Sequence, residues 1–167
     1  MQNETLRIGV LAYVGYCVFA AVSGLGAVTE ELPERWKGHW VVYKDLGAPG
    51  VSAMTDAEAK ATLHAEIDLG DGSAQFYGET CAAPSYTIDE QTIGDFLLGF
   101  KLTPSVFQLV GSRVEVLDVH CQNSVSETLA LLETGCVLSV REGHFFQVVK
   151  VRPGHSVGEE PIAACLA

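Results

Sequence analysis

Apolar and polar positions change their rhythm near residue 28. From Ile8 to Val28 the chain carries no charged side chain; after it, short alternating runs are broken by glycine, proline and acidic turns. A helix over the first segment, rising about 1.5 Å per residue, reaches roughly 31 Å, the thickness of a bilayer's hydrocarbon core. Gly9, Gly15, Gly24 and Gly26 weaken such a helix, and the segment Ser23 to Ala27 supplies small residues of the kind a signal peptidase cuts beside. The flank MQNETLR is only thinly basic, because Glu4 offsets Arg7. Cys17 follows Tyr16 and lacks the small residues that precede a lipidated cysteine. Residues 1–27 are therefore expected to be a signal peptide or an N-terminal membrane anchor. Residues 28–167, about 140 residues, are expected to form one domain.

Within that domain the period is mostly two. Trp40 to Lys44 is a β-prone run, and Gly47, Ala48, Pro49 and Gly50 break it. One helix is expected from Thr55 as N-cap, with Glu58 completing a capping box and Ala57, Ala59, Ala61 and Leu63 extending it to about His64. Ala65 to Leu69 then alternates, Asp71 and Gly72 suggest a type I′ turn, and Ala74 to Tyr77 returns as a hairpin. Further strands are expected at Tyr86 to Asp89, Arg113 to Val119, Thr128 to Leu132, Val137 to Arg141 and Phe145 to Arg152, the last two joined across Glu142 and Gly143. Phe96, Leu97, Leu98 and Phe100 suggest a short helix or a buried turn before Pro104. About eight strands with short links and no βαβ rhythm predict an all-β fold with one short helix, an antiparallel up-and-down barrel.

Charge and cysteines set the surroundings. The formal net charge is −11, which repels nucleic acid and anionic membrane surfaces and attracts a cationic protein. Contact with a membrane is expected only through residues 8–28, if they are not cleaved. Of the five cysteines, Cys81, Cys121, Cys136 and Cys165 follow the apolar run. In an oxidising compartment they permit two disulfides in three pairings, and sequence does not choose among them. The expected location is periplasmic or secreted.

Motifs for common catalysis are absent: GxSxG, GxxxxGK[ST], HExxH and EF-hand loops do not occur. Neither a cofactor nor a metal is expected, because the histidines show no ligand spacing and His120 and Cys121, as neighbours on a strand, point to opposite faces. Asp118 interrupts an apolar strand, and a bulge turning it to solvent is the expected solution. His144, beside a turn, is expected to be exposed. Phe76, Tyr77, Tyr86 and Phe146 are candidates to line the barrel interior against an apolar ligand or to fill it.

The tripeptide Gly38-His39-Trp40, opening the first strand of the body, resembles the GxW signature of lipocalins, and Arg152 stands at the end of the last strand where that family places a basic residue over the tryptophan. The resemblance implies a calycin-type, lipocalin-like barrel closed at one end by Trp40, with Arg152 stacked on it by a cation–π contact. In it Gly38, Trp40 and Arg152 are structural. The chain lacks the family's TDY-type motif and is shorter than a typical member. The function implied is an exported carrier of a small hydrophobic ligand. The alternative is a protein-interaction module, such as an exported inhibitor of a cationic enzyme of the lysozyme kind.

Overall fold

A computed structural model describes residues 27–29, 31–123, 126–152 and 165–166; almost all of the expected export segment lies outside them. The chain forms β1 (Ala27–Thr29), β2 (Gly38–Gly47), α1 (Asp56–Thr62), β3 (Glu66–Leu69), β4 (Ala74–Phe76), β5 (Glu79–Cys81), β6 (Ser85–Thr92), α2 (Ile93–Gly99), β7 (Arg113–His120), β8 (Ser126–Leu132), β9 (Val137–Arg141) and β10 (His144–Val151). Helix α1 starts as its sequence dictates. The Thr55 hydroxyl accepts from the Glu58 backbone N–H while the Glu58 carboxylate accepts from the Thr55 N–H. A second helix, α2, stands where the sequence left helix or turn open. Thr92 caps it, and Ile93, Phe96 and Leu97 are its buried side.

All ten strands belong to one antiparallel sheet, ordered β1-β6-β7-β8-β9-β10-β2-β3-β4-β5. Strands β6 to β10 form a meander, β2 to β5 form another, and β2 pairs with β10. The sheet thus curls in the up-and-down order that the alternation predicted. It differs from the expected eight-stranded barrel in two ways: β2 to β10 are nine strands, and the ladder does not close, because β5 does not pair with β6. The outer edge of β6 is occupied instead by β1, with Val28 opposite Thr87. The gap is held by other bonds. Cys81 and Cys121 form a disulfide with their Cα atoms 5.2 Å apart. Gln122 N–H donates to the Ala82 carbonyl at 2.8 Å, and Asn123 Nδ2 donates to the Thr80 carbonyl at 3.0 Å.

Strand alternation divides the apolar side chains between two cores. On the concave face Trp40, Val42, Ile67, Phe76, Tyr86, Leu117 and Phe146 pack together, joined by Leu32 and Trp36 from the segment before β2 and by Ala59 of α1. On the convex face of β7 to β10, Val116, Leu138 and Phe145 are covered by α2 and the chain after it. Phe145 meets the rings of Phe96, Phe100 and Phe107 at 6.5, 5.4 and 4.8 Å. The second disulfide, Cys136–Cys165, fastens Cys165 to this convex core, and the Val110 N–H donates to the Cys165 carbonyl at 3.0 Å. Of the three pairings open to sequence, these two bridges are the ones formed. They fit an oxidising, exported setting. Among the described residues no helix is long and apolar enough to cross a membrane.

Three local expectations are corrected. The turn at Asp71 and Gly72 is not type I′, since neither residue has positive φ; Asp71 instead accepts from the Leu32 N–H at 3.0 Å and pairs with Lys37 at 2.8 Å. The two-residue turns with positive φ at both positions are Tyr77-Gly78 and Glu142-Gly143, the signs a type I′ hairpin requires. Asp118 needs no bulge: β7 keeps regular register with β6 and β8, and the Thr128 hydroxyl donates to Asp118 at 2.6 Å. His144 is buried, not exposed, at 4%.

One end of the concave face is sealed by tryptophans. Trp36 and Trp40 lie 6.4 Å apart, and Trp40 Nε1 donates to the Trp36 carbonyl at 2.9 Å. Trp36 Nε1 donates to Glu115, whose carboxylate also holds Arg35. The cation over Trp40 is Lys150, 5.4 Å from the ring centroid. Strand β10 ends at Val151, and Arg152 is exposed beyond it. Gly38 has φ +125°, and a Cβ there would stand 2.9 Å from Lys150 Cε, which accounts for glycine two residues before the tryptophan. Truncating Trp40 to Ala removes the centre of this seal, and urea melts are expected to show a loss of about 3–5 kcal/mol. A loss under about 1 kcal/mol would mean that Trp40 does not carry the end of the curl.

Candidate functional site

The other end of the concave face is polar. Glu127 and Ser139 sit on adjacent strands β8 and β9, at inward positions where the neighbours of like parity are apolar: Leu129 and Leu131 on β8, Val137 on β9. Both side chains are buried, Glu127 at 6% and Ser139 at 0%. Tyr77 reaches them from across the curl. Its φ of +54° in the β4–β5 turn is a left-handed conformation that costs a non-glycine residue on the order of 1 kcal/mol. The hydroxyl then donates to Glu127 Oε1 at 2.7 Å, Ser139 Oγ donates to the same oxygen at 2.5 Å, and the two hydroxyls lie 2.5 Å apart. Arg141, closing β9, lays its guanidinium over the Tyr77 ring, with Cζ 4.1 Å from the centroid. Tyr77 therefore spans the interior and ties β4 to β8 and β9.

This cluster floors an open cleft of about 410 Å³, lined by Phe76, Tyr77, Glu79, Glu127 and Arg141 among others. A second cleft, about 320 Å³, lies on the α1 side and is lined by Met54, Glu58, Ala61, Ala65, Tyr77 and Arg141. Tyr77, Arg141 and Glu142 line both, so the two clefts adjoin at the stacked Tyr77 and Arg141 and are taken together as one groove. Burial pushes the Glu127 carboxyl up to about 7, although the Ser139 and Tyr77 hydroxyls and the Arg141 charge pull it down. The Tyr77 hydroxyl is held well above its ordinary value, first by burial and then by the charge of Glu127. A carboxyl poised near neutrality at the floor of a cleft can give or take a proton there.

The expected ligand-facing residues divide in two. Phe76 and Tyr77 meet at the cleft. Tyr86 is fully buried in the concave core, its hydroxyl donating to the Gly70 carbonyl at 2.5 Å, and Phe146 is buried against His144 with ring centroids 5.1 Å apart. Those two fill the curl. His144 Nε2 lies 2.8 Å from Asp45, and its Nδ1 has no hydrogen-bond partner among the described residues. Cys121 is consumed by its disulfide and offers no thiolate to a metal. Among the described residues the sheet register assembles one set of metal-type donors: His39 opposite Asp68, with Glu66 beside them, their donor atoms within 4.8 Å of one another on a partly exposed face. Sequence reasoning missed Glu127, Ser139 and Arg141. The available signal was parity at Glu127, which shares its strand face with Leu129 and Leu131; Ser139 has apolar Val137 on one side only, and Arg141, between Ser139 and Gly143, carries no such signal.

Comparison of the chain with protein-family models, with curated proteins and with solved structures finds no match in any of the three.

The raised Glu127 value has a stability consequence. The folded carboxyl holds its proton up to about pH 7, whereas the unfolded one releases it near 4.5. Between those values the native state binds more protons, so the contribution is complete below about 4.5 and is lost as pH rises through about 7. It amounts to about 3 kcal/mol. Glu127→Gln keeps a neutral acceptor for both hydroxyls. Urea melts at pH 5 and pH 8 are expected to show the wild type losing about 2–3 kcal/mol more than the variant on going to the higher pH, since part of the contribution is already lost by pH 5; equal losses would place the titration elsewhere.

Proposed function

We propose that this is an exported binding protein, periplasmic or secreted, that carries a small ligand in the groove formed by the two clefts at the Tyr77 end of the curl. The observation that carries the reading is the cluster of half-buried Tyr77 with buried Glu127 and Ser139 at the floor of an open cleft. Three hydrogen-bonding groups gathered inside a domain give up hydration, and a fold dedicated only to packing does better with apolar residues there. The apolar walls of the groove, Met54, Ala61, Ala65 and Phe76, suit the body of a small, partly hydrophobic molecule. The core itself is filled by Tyr86 and Phe146, so the ligand sits at the mouth of the curl and not within it. Binding is the role proposed. The overall charge of −11 and the exposed carboxylates Glu58, Glu79 and Glu142 at the groove support a second reading, capture of a basic loop of a cationic protein, whose affinity would fall steeply with salt.

Native mass spectrometry of the exported protein, followed by a denatured spectrum of the same sample, tests the first reading. The native mass is expected to exceed the chain mass by a small molecule that leaves on denaturation. Ala61→Trp, at an exposed helical position beside the groove, fills the second cleft without entering the core and is expected to abolish the extra mass. A bare chain in both proteins would count against a small-ligand carrier.

A further inference from the structure

We propose that the groove is selective for a small amphiphilic monocarboxylate, whose carboxylate pairs with Arg141 beside the Glu127 carboxyl and whose apolar body lies along Met54, Ala61 and Ala65. The inference rests on the groove being a ligand site and adds the chemical class of the ligand.

The starting point is Arg141. Its guanidinium is half-buried at the junction of the two clefts, stacked on Tyr77, and it makes no ion pair among the described residues. A guanidinium presents a planar fork of donors that matches a carboxylate, and one left without an anion in a partly dry groove gains most from receiving one. Stacking on Tyr77 fixes its plane, so little rotamer freedom remains to be lost on binding.

The groups facing Arg141 decide the sign of the ligand. Glu58 on α1, Glu79 on β5 and Glu142 in the β9–β10 turn line the groove, but all three are exposed, and water and salt weaken their fields. His144 on β10 is engaged with Asp45 on β2, and the β7 residue opposite Glu127 is the apolar Val119. Among the described residues at the floor, Glu127 is the buried group that changes charge near neutrality; the Tyr77 hydroxyl is held well above its ordinary value and stays neutral there. While it is protonated, the floor consists of Arg141 and neutral hydroxyl or carboxyl groups, a net cation that an anionic head group neutralises. Once Glu127 ionises, it neutralises Arg141 itself and repels a second carboxylate. A cationic head group would instead meet Arg141 at the centre of the groove. The second cleft accounts for the remainder of the molecule: Met54, Ala61 and Ala65 form an apolar wall within reach of the same guanidinium.

Isothermal titration of the full exported chain with sodium octanoate and with octylammonium chloride, each at pH 6 and pH 8, tests the assignment. Octanoate is expected to bind, with an affinity about tenfold lower at pH 8, which is the change in the protonated fraction of a carboxyl titrating near 7. Glu127→Gln is expected to bind octanoate with an affinity that no longer changes between the two pH values. Arg141→Gln is expected to lose about tenfold or more, and Arg141→Lys to restore much of it, because lysine keeps the charge and loses only the fork. Octylammonium binding more tightly than octanoate, or an octanoate affinity indifferent to Arg141→Gln in a variant with unchanged far-ultraviolet circular dichroism, would overturn the assignment. If the exported chain carries an extra mass that Ala61→Trp removes, yet octanoate does not bind, the carboxylate class fails and the groove remains a ligand site. If no such mass is carried and neither probe binds, the groove itself is not a ligand site and both readings fall.

Discussion

The pairing of β2 with β10 is the constraint on which the rest of the molecule depends. It joins residues from opposite ends of the domain, setting His39 opposite Val151 and Trp40 opposite Lys150, and it turns two meanders into one curled sheet. Closing so long a loop carries a substantial entropic cost, recovered by the ladder and by the apolar face that it closes. At one end of the pair Lys150 reaches over Trp40 and hydrogen-bonds the carbonyls of Glu34 and Arg35. At the other end His144 stacks on Phe146 and meets Asp45. Without this pairing the concave core is a flat, exposed surface, and Tyr77, carried by the β2–β5 meander, does not meet Glu127 on the other one.

The curl stops short of a barrel because another strand uses the edge that closure needs. β1 lies on β6, which leaves β5 to be fastened by a disulfide and by Asn123 instead of a ladder. The two disulfides thus do different work: Cys81–Cys121 holds the open seam, and Cys136–Cys165 anchors a distant segment to the convex core. Strands β7 to β10 are buried on both faces, which explains why Val137 to Val140 and Phe145 to Val149 are almost continuously apolar where a sheet with one wet face would alternate. The polar exceptions inside, Glu127 and Ser139, then stand out physically. A carboxyl at that depth is held in its neutral form to an unusually high pH, and its bonds to two hydroxyls are what make the burial tolerable.

Tight turns aim the site. Tyr77-Gly78 and Glu142-Gly143 each take positive φ at both positions, and they deliver Tyr77 and Arg141 to the same groove. Gly143 also admits the chain before α1, since a Cβ there would collide with the Val51 carbonyl oxygen. Through that approach Ser52 and Ala53 bond to the Glu142 carbonyl, so Met54 and α1 come to form the far wall of the groove.

Much of this architecture was legible in the residues. Thr55 and Glu58 announce α1, because a capping box is satisfied within four residues of chain. The period-two runs announce the strands, because alternation reports which side of a sheet is dry. The even number of cysteines after the apolar run announces two bridges. What the sequence could not express are relations between residues distant along it. Asp71-Gly72 has the composition of a type I′ turn, yet the long-range partners Leu32 and Lys37 claim Asp71, and the turn geometry passes to Tyr77-Gly78. Tyr86, Phe146 and Phe76 have the same aromatic character as Tyr77, and only the curvature of the sheet assigns the first three to the core, Phe76 at the edge of the cleft, and sends Tyr77 into the groove. By itself the sequence determined the strand-rich class, the first helix and the oxidisable cysteines, all properties of local pattern or composition. The tertiary structure alone decided the seam, the disulfide pairing, the cation over Trp40 and the meeting of Tyr77, Glu127, Ser139 and Arg141, because each depends on which strands become neighbours when the sheet curls.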